Sequence, residues 1–175
     1  PYTTLFRSLK NHFKRDVTIV FGCGGERDKN KREKIGKIVN KLCNKIFVTD
    51  DNPRNERPER IRQAIIKHVK KEKVTEIGNR TLAIHSAIKN SGPKEIILLA
   101  GKGHEDTQDY GKKKLKISDF KIVKDLKIKK DNNKIEINSQ SNKSLINKIF
   151  GYKITKGFLG VSIDSKSLKK GNLFV

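Results

Sequence analysis

The chain has 175 residues and a formal net charge of +22, with 41 Lys plus Arg against 19 Asp plus Glu. That length suits one domain, or one domain and part of another. Hydrophobic residues are 34% of the chain, enough for one core, and no apolar run approaches the roughly 18 residues that cross a bilayer, which predicts no membrane partner.

In chain order, residues 16–21 (Asp-Val-Thr-Ile-Val-Phe) make a short β-branched run that stops at Gly22-Cys23-Gly24-Gly25. This is the pattern of a buried strand entering a tight loop. Ile35, Ile38, Val39 and Leu42 then recur at three- and four-residue steps, which predicts an amphipathic helix. A second buried strand is expected at 45–49. The loop Asp50-Asp51-Asn52-Pro53-Arg54 follows it, because Pro53 pushes Asn52 out of the helical region. Pro58 suits the first turn of a helix that carries Ile61, Ile65, Ile66 and Val69 inward. Asn79 can cap a further helix through Ile88, with Leu82, Ala83, Ala87 and Ile88 inward. Residues 95–100 (Glu-Ile-Ile-Leu-Leu-Ala) form the clearest strand and run into Gly101-Lys102-Gly103-His104-Glu105.

Strand, loop and helix in repetition predict an α/β fold, a Rossmann-like parallel sheet covered by helices. Ligands of such sheets bind at the carboxyl ends of the strands. The three Gly- or Pro-containing loops are expected at such ends, so Arg27, Arg54 and Glu105 can converge on one cleft. Residues 127–143 are polar and Lys-, Asn- and Ser-rich, and are expected to be a linker. An ordered segment is expected to begin again near Leu145.

The excess of charge invites a nucleic-acid reading. The lysines are spread along the chain, however, without interleaved aromatics to stack on bases. Lys, Ile and Asn all have A/T-rich codons, so base composition explains the charge and no specific nucleic-acid partner is expected. Cys23 and Cys43 fit no metal or redox spacing; both are expected to be buried thiols in a cytoplasmic protein. The chain has no Met. It begins at Pro1 and stops inside an apolar run, so it is expected to be a fragment open at both ends. Residues 1–8 correspond to the translation of a widely used sequencing adapter and are left out of the fold reading.

Three loops carry the chemistry. In Gly22-Cys23-Gly24-Gly25-Glu26-Arg27-Asp28 the glycines permit a tight turn and leave amides free for an anion. No Gly-Lys-Ser/Thr ends the run, so it is not a phosphate loop. It partly mimics a dinucleotide fingerprint, but the third glycine is missing, and a structural turn is the simpler reading. In Asp51-Asn52-Pro53-Arg54, Arg offers a planar fork for a carboxylate and Asn both a donor and an acceptor; a capped turn with a solvated Arg explains the spacing equally well. In Gly101-Lys102-Gly103-His104-Glu105, Glu105 can pair with a substrate ammonium. His104 reads as structural, since no second His lies at metal-ligand spacing. Tyr110 and Gln108 read as packing or surface residues.

Taken together and in order, Phe-Gly-Cys-Gly-Gly-Glu-Arg-Asp-Lys, Thr-Asp-Asp-Asn-Pro-Arg, Glu-Ile-Gly-Asn-Arg and Ala-Gly-Lys-Gly-His-Glu resemble the C-terminal domain of the Mur ligase family. Within the family the likeness is to members that add meso-diaminopimelate, and it covers about residues 15–125. It implies domain bounds of 9–126 and an ATP-dependent, amide-forming ligase of peptidoglycan synthesis. ATP would phosphorylate the terminal carboxylate of UDP-MurNAc-L-Ala-D-Glu, and the amine of meso-diaminopimelate would attack the acyl phosphate. It also implies Mg2+, a monomeric parent enzyme, and substrate contacts from Arg27, Asp51, Asn52, Pro53, Arg54, Gly101 and Glu105. Lysine lacks the far carboxylate, so Arg54 points to diaminopimelate. The family's ATP-binding loop and carbamylated lysine belong to a central domain, so none of the residues here is expected to be catalytic and the fragment alone is expected to be inactive. Glu26 stands where Asp is usual and Asn30 where Gly is usual.

Residues 160–166 and 171–175 resemble the start of an N-terminal domain of a second Mur ligase, the one that adds D-alanyl-D-alanine. The likeness implies a truncated second α/β domain at 144–175, a junction between two fused ligases, and UDP-substrate contacts at Asp164, Ser165 and Lys166, the last standing where Arg is usual. Outside the resemblance, the rival readings are a dinucleotide-binding Rossmann domain and a basic nucleic-acid-binding module.

Overall fold

The computed structural model describes residues 16–92, 95–103 and 105–125, together with the backbone of four strands at 127–131, 134–138, 160–162 and 172–174. The expected adapter residues 1–8, His104, and Asp164, Ser165 and Lys166 lie outside the described residues.

The first unit runs β1 (Val17–Phe21), α1 (Asn30–Leu42), β2 (Lys45–Val48), α2 (Pro58–Ile66), a short 3-10 turn (Lys71–Lys73) and β3 (Val74–Glu76). It continues through α3 (Arg80–Asn90), β4 (Ile96–Ala100), the hairpin β5 (Thr107–Asp109) and β6 (Lys114–Lys116), and α4 (Asp119–Lys124). β1 pairs in parallel with β2 on one side and β4 on the other, and β2 pairs in parallel with β3. The order β3-β2-β1-β4 reverses direction at β1, which creates a crevice beyond the carboxyl ends of β1 and β4. β7 (Lys127–Asp131) and β8 (Lys134–Asn138), inside the segment expected to be a linker, form an antiparallel hairpin. β9 (Gly160–Ser162) and β10 (Asn172–Phe174) pair in parallel, and β10 adjoins β4.

β1, β2 and β4 are buried on both faces, so their sequences are apolar runs rather than alternations. Successive side chains still divide between the faces. Ile19, Phe21, Ile46, Val48 and Leu98 pack with Ile35 and Val39 of α1 and Ile65 of α2. Val20, Phe47, Ile97 and Leu99 pack with Ala83, Ile84, Ala87 and Ile88 of α3 and Val123 of α4. Each fully buried aliphatic contributes about 1.5–3 kcal/mol.

Local signals account for the helix ends. Pro58 opens α2. Asn79 caps α3 by accepting from the amide of Leu82 at 3.0 Å. Ser118 caps α4 in the same way. The structure adjusts details of the reading. α2 ends at Ile66, so Val69 packs from the turn that follows. α3 buries Ile84 and His85 more deeply than the expected Leu82. Cys43 is buried, but Cys23 is only half-buried.

Candidate functional site

Three loops meet at the carboxyl ends of β1, β2 and β4. The segment after β1 is closed against the segment after β2 by backbone: the amide of Gly25 donates to the carbonyl of Asn52 at 2.8 Å. The contact needs glycine, because a Cβ on Gly25 would lie 1.9 Å from the carbonyl oxygen of Pro53. The buried Arg32 of α1 fastens the same junction. It donates both Nη1 and Nη2 to Glu56, at 3.0 and 2.9 Å, and Nη2 also reaches the carbonyl of Gly24. Together with the amide of Glu26, this guanidinium holds the Glu56 carboxyl down at about 2.

Arg54 sits with φ at +52°, an uncommon conformation for a residue with a Cβ. The bend is held from two sides. Its amide donates to the carbonyl of Asp109 at 2.9 Å, and its Nη1 donates to the carbonyl of Gly25 at 2.6 Å. One N–H of a five-donor fork is thereby used to orient the rest. A Cβ on Gly24 would stand 3.1 Å from Arg54 Nη1 and 3.5 Å from Arg27 Cγ, so both arginines border this glycine. Arg27 is exposed.

The loop after β4 brings the opposite charge. Asn52 Nδ2 donates to Glu105 Oε2 at 2.9 Å. Asn52 Oδ1 accepts from Lys102 Nζ at 2.7 Å and from the amide of Asp109 at 2.9 Å. Lys102 Nζ also donates to the carbonyl of Thr107, and lies 3.3 Å from Glu105 Oε2 and 3.4 Å from Asp51 Oδ1. Gly101, at φ +110°, lets the chain pass Asp51: a Cβ there would meet Asp51 Oδ2 at 3.1 Å. Among the sequence-derived candidates, Asp51, Asn52, Gly101 and Glu105 thus form one group, while Arg27 and Arg54 form a neighbouring group around Gly24. Pro53 is buried beneath the second group.

Sequence reasoning passed over two participants. Lys102 lies between Gly101 and Gly103 in the loop after β4, and nothing local in the sequence marks a lysine for burial. Tyr110, read as packing or surface, donates its hydroxyl to Asp50 Oδ2 at 2.9 Å, and Asp50 is also paired with Arg62. Burial and that carboxylate push the phenol well above its ordinary range. This tie fastens the β5–β6 side of the crevice to β2. Chemically the crevice offers a cationic pole, Arg27 and Arg54, beside an acidic pole, Asp51 and Glu105. Among the described residues no three His, Cys, Asp or Glu side chains are grouped to hold a metal ion. No helix among them is long and apolar enough to cross a membrane.

A family model described as the Mur ligase, glutamate ligase domain, matches residues 2–103. A UDP-N-acetylmuramoyl-L-alanyl-D-glutamate--2,6-diaminopimelate ligase of Rickettsia felis is 48% identical over 120 residues, 67% of this chain and 23% of the relative. The ligase of the same name from Buchnera aphidicola subsp. Baizongia pistaciae is 43% identical over 129 residues, 73% of this chain and 25% of its own length. A solved structure of a protein with that name superposes with a TM-score of 0.64 at 31% identity, covering 70% of this chain and 26% of that one. The chain therefore spans about a quarter of the length of the relatives it matches.

Proposed function

The chain belongs to the Mur ligase family, matching its glutamate ligase domain, and from that premise we propose that it is the amino-acid-binding part of an ATP-dependent ligase. The reaction is the joining of meso-diaminopimelate to UDP-MurNAc-L-Ala-D-Glu in peptidoglycan synthesis, as the names of the relatives suggest.

The observation that carries this reading is the cationic pole beside the acidic pole in one crevice. Diaminopimelate has two amino-acid ends. One supplies the attacking amine, and the other keeps an ammonium and a carboxylate that need a complementary clamp. Arg54, held in its bend by Gly25 and Asp109, forks onto the far carboxylate with Arg27 beside it. Glu105 and Asp51 accept from the far ammonium. Pro53 and Gly101 shape the loops that present them. The clamp fixes the near amine where it attacks the activated carboxyl carbon: a C–N bond forms, phosphate leaves, and the amine loses a proton. The domain's contribution is positioning.

ATP supplies the activation of that carboxylate, with Mg2+ as its counterion, in the ligase as a whole. The described residues do not fit either group, having no three-carboxylate cluster and no Gly-Lys-Ser/Thr loop, so no nucleotide step is assigned to them. The same proposal takes the parent enzyme as cytoplasmic and monomeric. It assigns residues 144–175 to the start of a D-alanyl-D-alanine-adding ligase, on the sequence pattern at 160–166 and 171–175.

The test is ATP-dependent formation of the UDP-MurNAc-tripeptide by the complete ligase carrying this domain, with meso-diaminopimelate and L-lysine offered separately. Preference for diaminopimelate is expected; equal or better use of lysine overturns the reading. Purified residues 9–175 alone are expected to form no amide, and measurable turnover by them would show that the catalytic half is not elsewhere.

A further inference from the structure

Lys102 is the most deeply buried cation of the crevice: its side chain is fully shielded from solvent. Burying an ammonium is costly unless it is closely paired. Its three protons face four oxygens from two segments: Asp51 Oδ1 and Asn52 Oδ1 from the loop after β2, and Glu105 Oε2 and the Thr107 carbonyl from the chain after β4.

Two consequences follow from this geometry. First, Asn52 Oδ1 accepts from both Lys102 Nζ and the Asp109 amide. The side-chain amide is therefore locked in one orientation, with its NH2 toward Glu105; turned over, it would set NH2 against an ammonium and an N–H. Second, Lys102 Nζ lies between the carboxylates of Asp51 and Glu105, 3.4 Å from Asp51 Oδ1 and 3.3 Å from Glu105 Oε2, and so brings the two together. Asp51 Oδ1 is buried, and no described residue donates a hydrogen bond to it. At 3.4 Å, Lys102 neutralises this oxygen without satisfying it.

We propose that Lys102 is a positioning residue for the substrate's far ammonium: it locks Asn52 and holds the carboxylates of Asp51 and Glu105 side by side. Without it the two carboxylates repel and separate, which removes the arranged pair. The inference rests on the amino-acid-binding reading above and adds the residue that sets the acidic pole.

The test compares meso-diaminopimelate with 2-aminopimelate in the complete ligase. The analogue keeps both carboxylates and one reacting amine but lacks the far ammonium. The unaltered enzyme is expected to show a KM at least tenfold higher for the analogue. Lys102→Met is expected to raise the KM for meso-diaminopimelate tenfold or more, with kcat changed less than threefold and the KM for ATP unchanged. The ratio of the two amino-acid KM values should fall below threefold. Lys102→Arg should restore part of the ratio. If circular dichroism shows Lys102→Met unfolded, Lys102→Gln, which keeps hydrogen-bonding capacity without the charge, is read the same way. A variant that retains the full ratio, whether or not both KM values rise together, overturns the role of Lys102 alone. A ratio near one in the unaltered enzyme overturns the acidic-pole reading itself, and the proposal with it.

Discussion

Arg80 and Asp119 form a two-point ion pair inside the protein, Nε to Oδ1 at 2.7 Å and Nη2 to Oδ2 at 2.6 Å, although they are 39 residues apart in sequence. Arg80 Nη2 also donates to the carbonyl of Ala100 at 3.0 Å, so the pair pins the end of β4 where the Gly101 loop begins. Removing one partner leaves a buried charge unpaired. Arg80→Ala or Asp119→Ala should each cost about 3–5 kcal/mol, and Arg80→Met with Asp119→Leu together much less than the sum. Urea unfolding of the chain measures this; additive losses would mean that the pair is not coupled.

His85 sets the acid side of stability. It is 2% exposed, and burial lowers its pKa to about 4. The folded state therefore resists protonation that the unfolded chain accepts near pH 6.5. Stability attributable to His85 is complete above pH 6.5 and falls as pH drops toward 4. Between pH 7.5 and 5 the loss should be about 2 kcal/mol. His85→Gln should flatten that limb in urea titrations at the two pH values; an unchanged slope would assign it to other groups.

Glycine at position 25 is demanded by packing, and at position 103 by backbone alone. Gly25 abuts the carbonyl of Pro53, whereas a Cβ at Gly103, φ +54°, would meet nothing within 4 Å. Gly103→Ala should cost about 1–2 kcal/mol for the left-handed conformation. Gly25→Ala must push the Asn52–Arg54 loop away, so it should lower thermal stability further and also raise the KM for diaminopimelate. Thermal melts and substrate titration of the two variants, side by side, distinguish these effects.

Arg54 is held ready by two backbone carbonyls, one on its amide and one on its guanidinium. In the complete ligase, Arg54→Ala should raise the KM for diaminopimelate tenfold or more. Arg54→Lys should recover only part, because an ammonium cannot reproduce a planar fork. The KM for the UDP-linked dipeptide should stay within about twofold, since only uniform binding of the amino acid is lost. An unaltered KM for diaminopimelate would remove Arg54 from the site.

Much of the frame was legible in the chain because β1, β2 and β4 are apolar on both faces, and because α1, α2 and α3 repeat apolar residues at helical spacing. The cap at Asn79 and the start at Pro58 are local events and were read locally. β3, β5 and β6 were not legible. Each is three residues long, and sequences such as Thr-Gln-Asp and Lys-Leu-Lys become strands only because a neighbour supplies hydrogen bonds. α4 is six residues long, too short for a helical repeat of apolar residues to stand out in the sequence.

At the crevice, residue types and their order by themselves singled out three candidate loops: glycines where backbone must approach backbone, Pro53 to stiffen a turn, and Arg54 and Glu105 as charges without an apolar surrounding. Only the tertiary structure decided how those charges are partnered. Lys102 reads as one lysine among many, and nothing beside it in sequence marks it for burial. Asn52 Oδ1, Thr107 and Asp51 reach it from segments that the sheet topology brings together, and an ion pair depends on distance and solvent exclusion, which no single stretch of sequence contains.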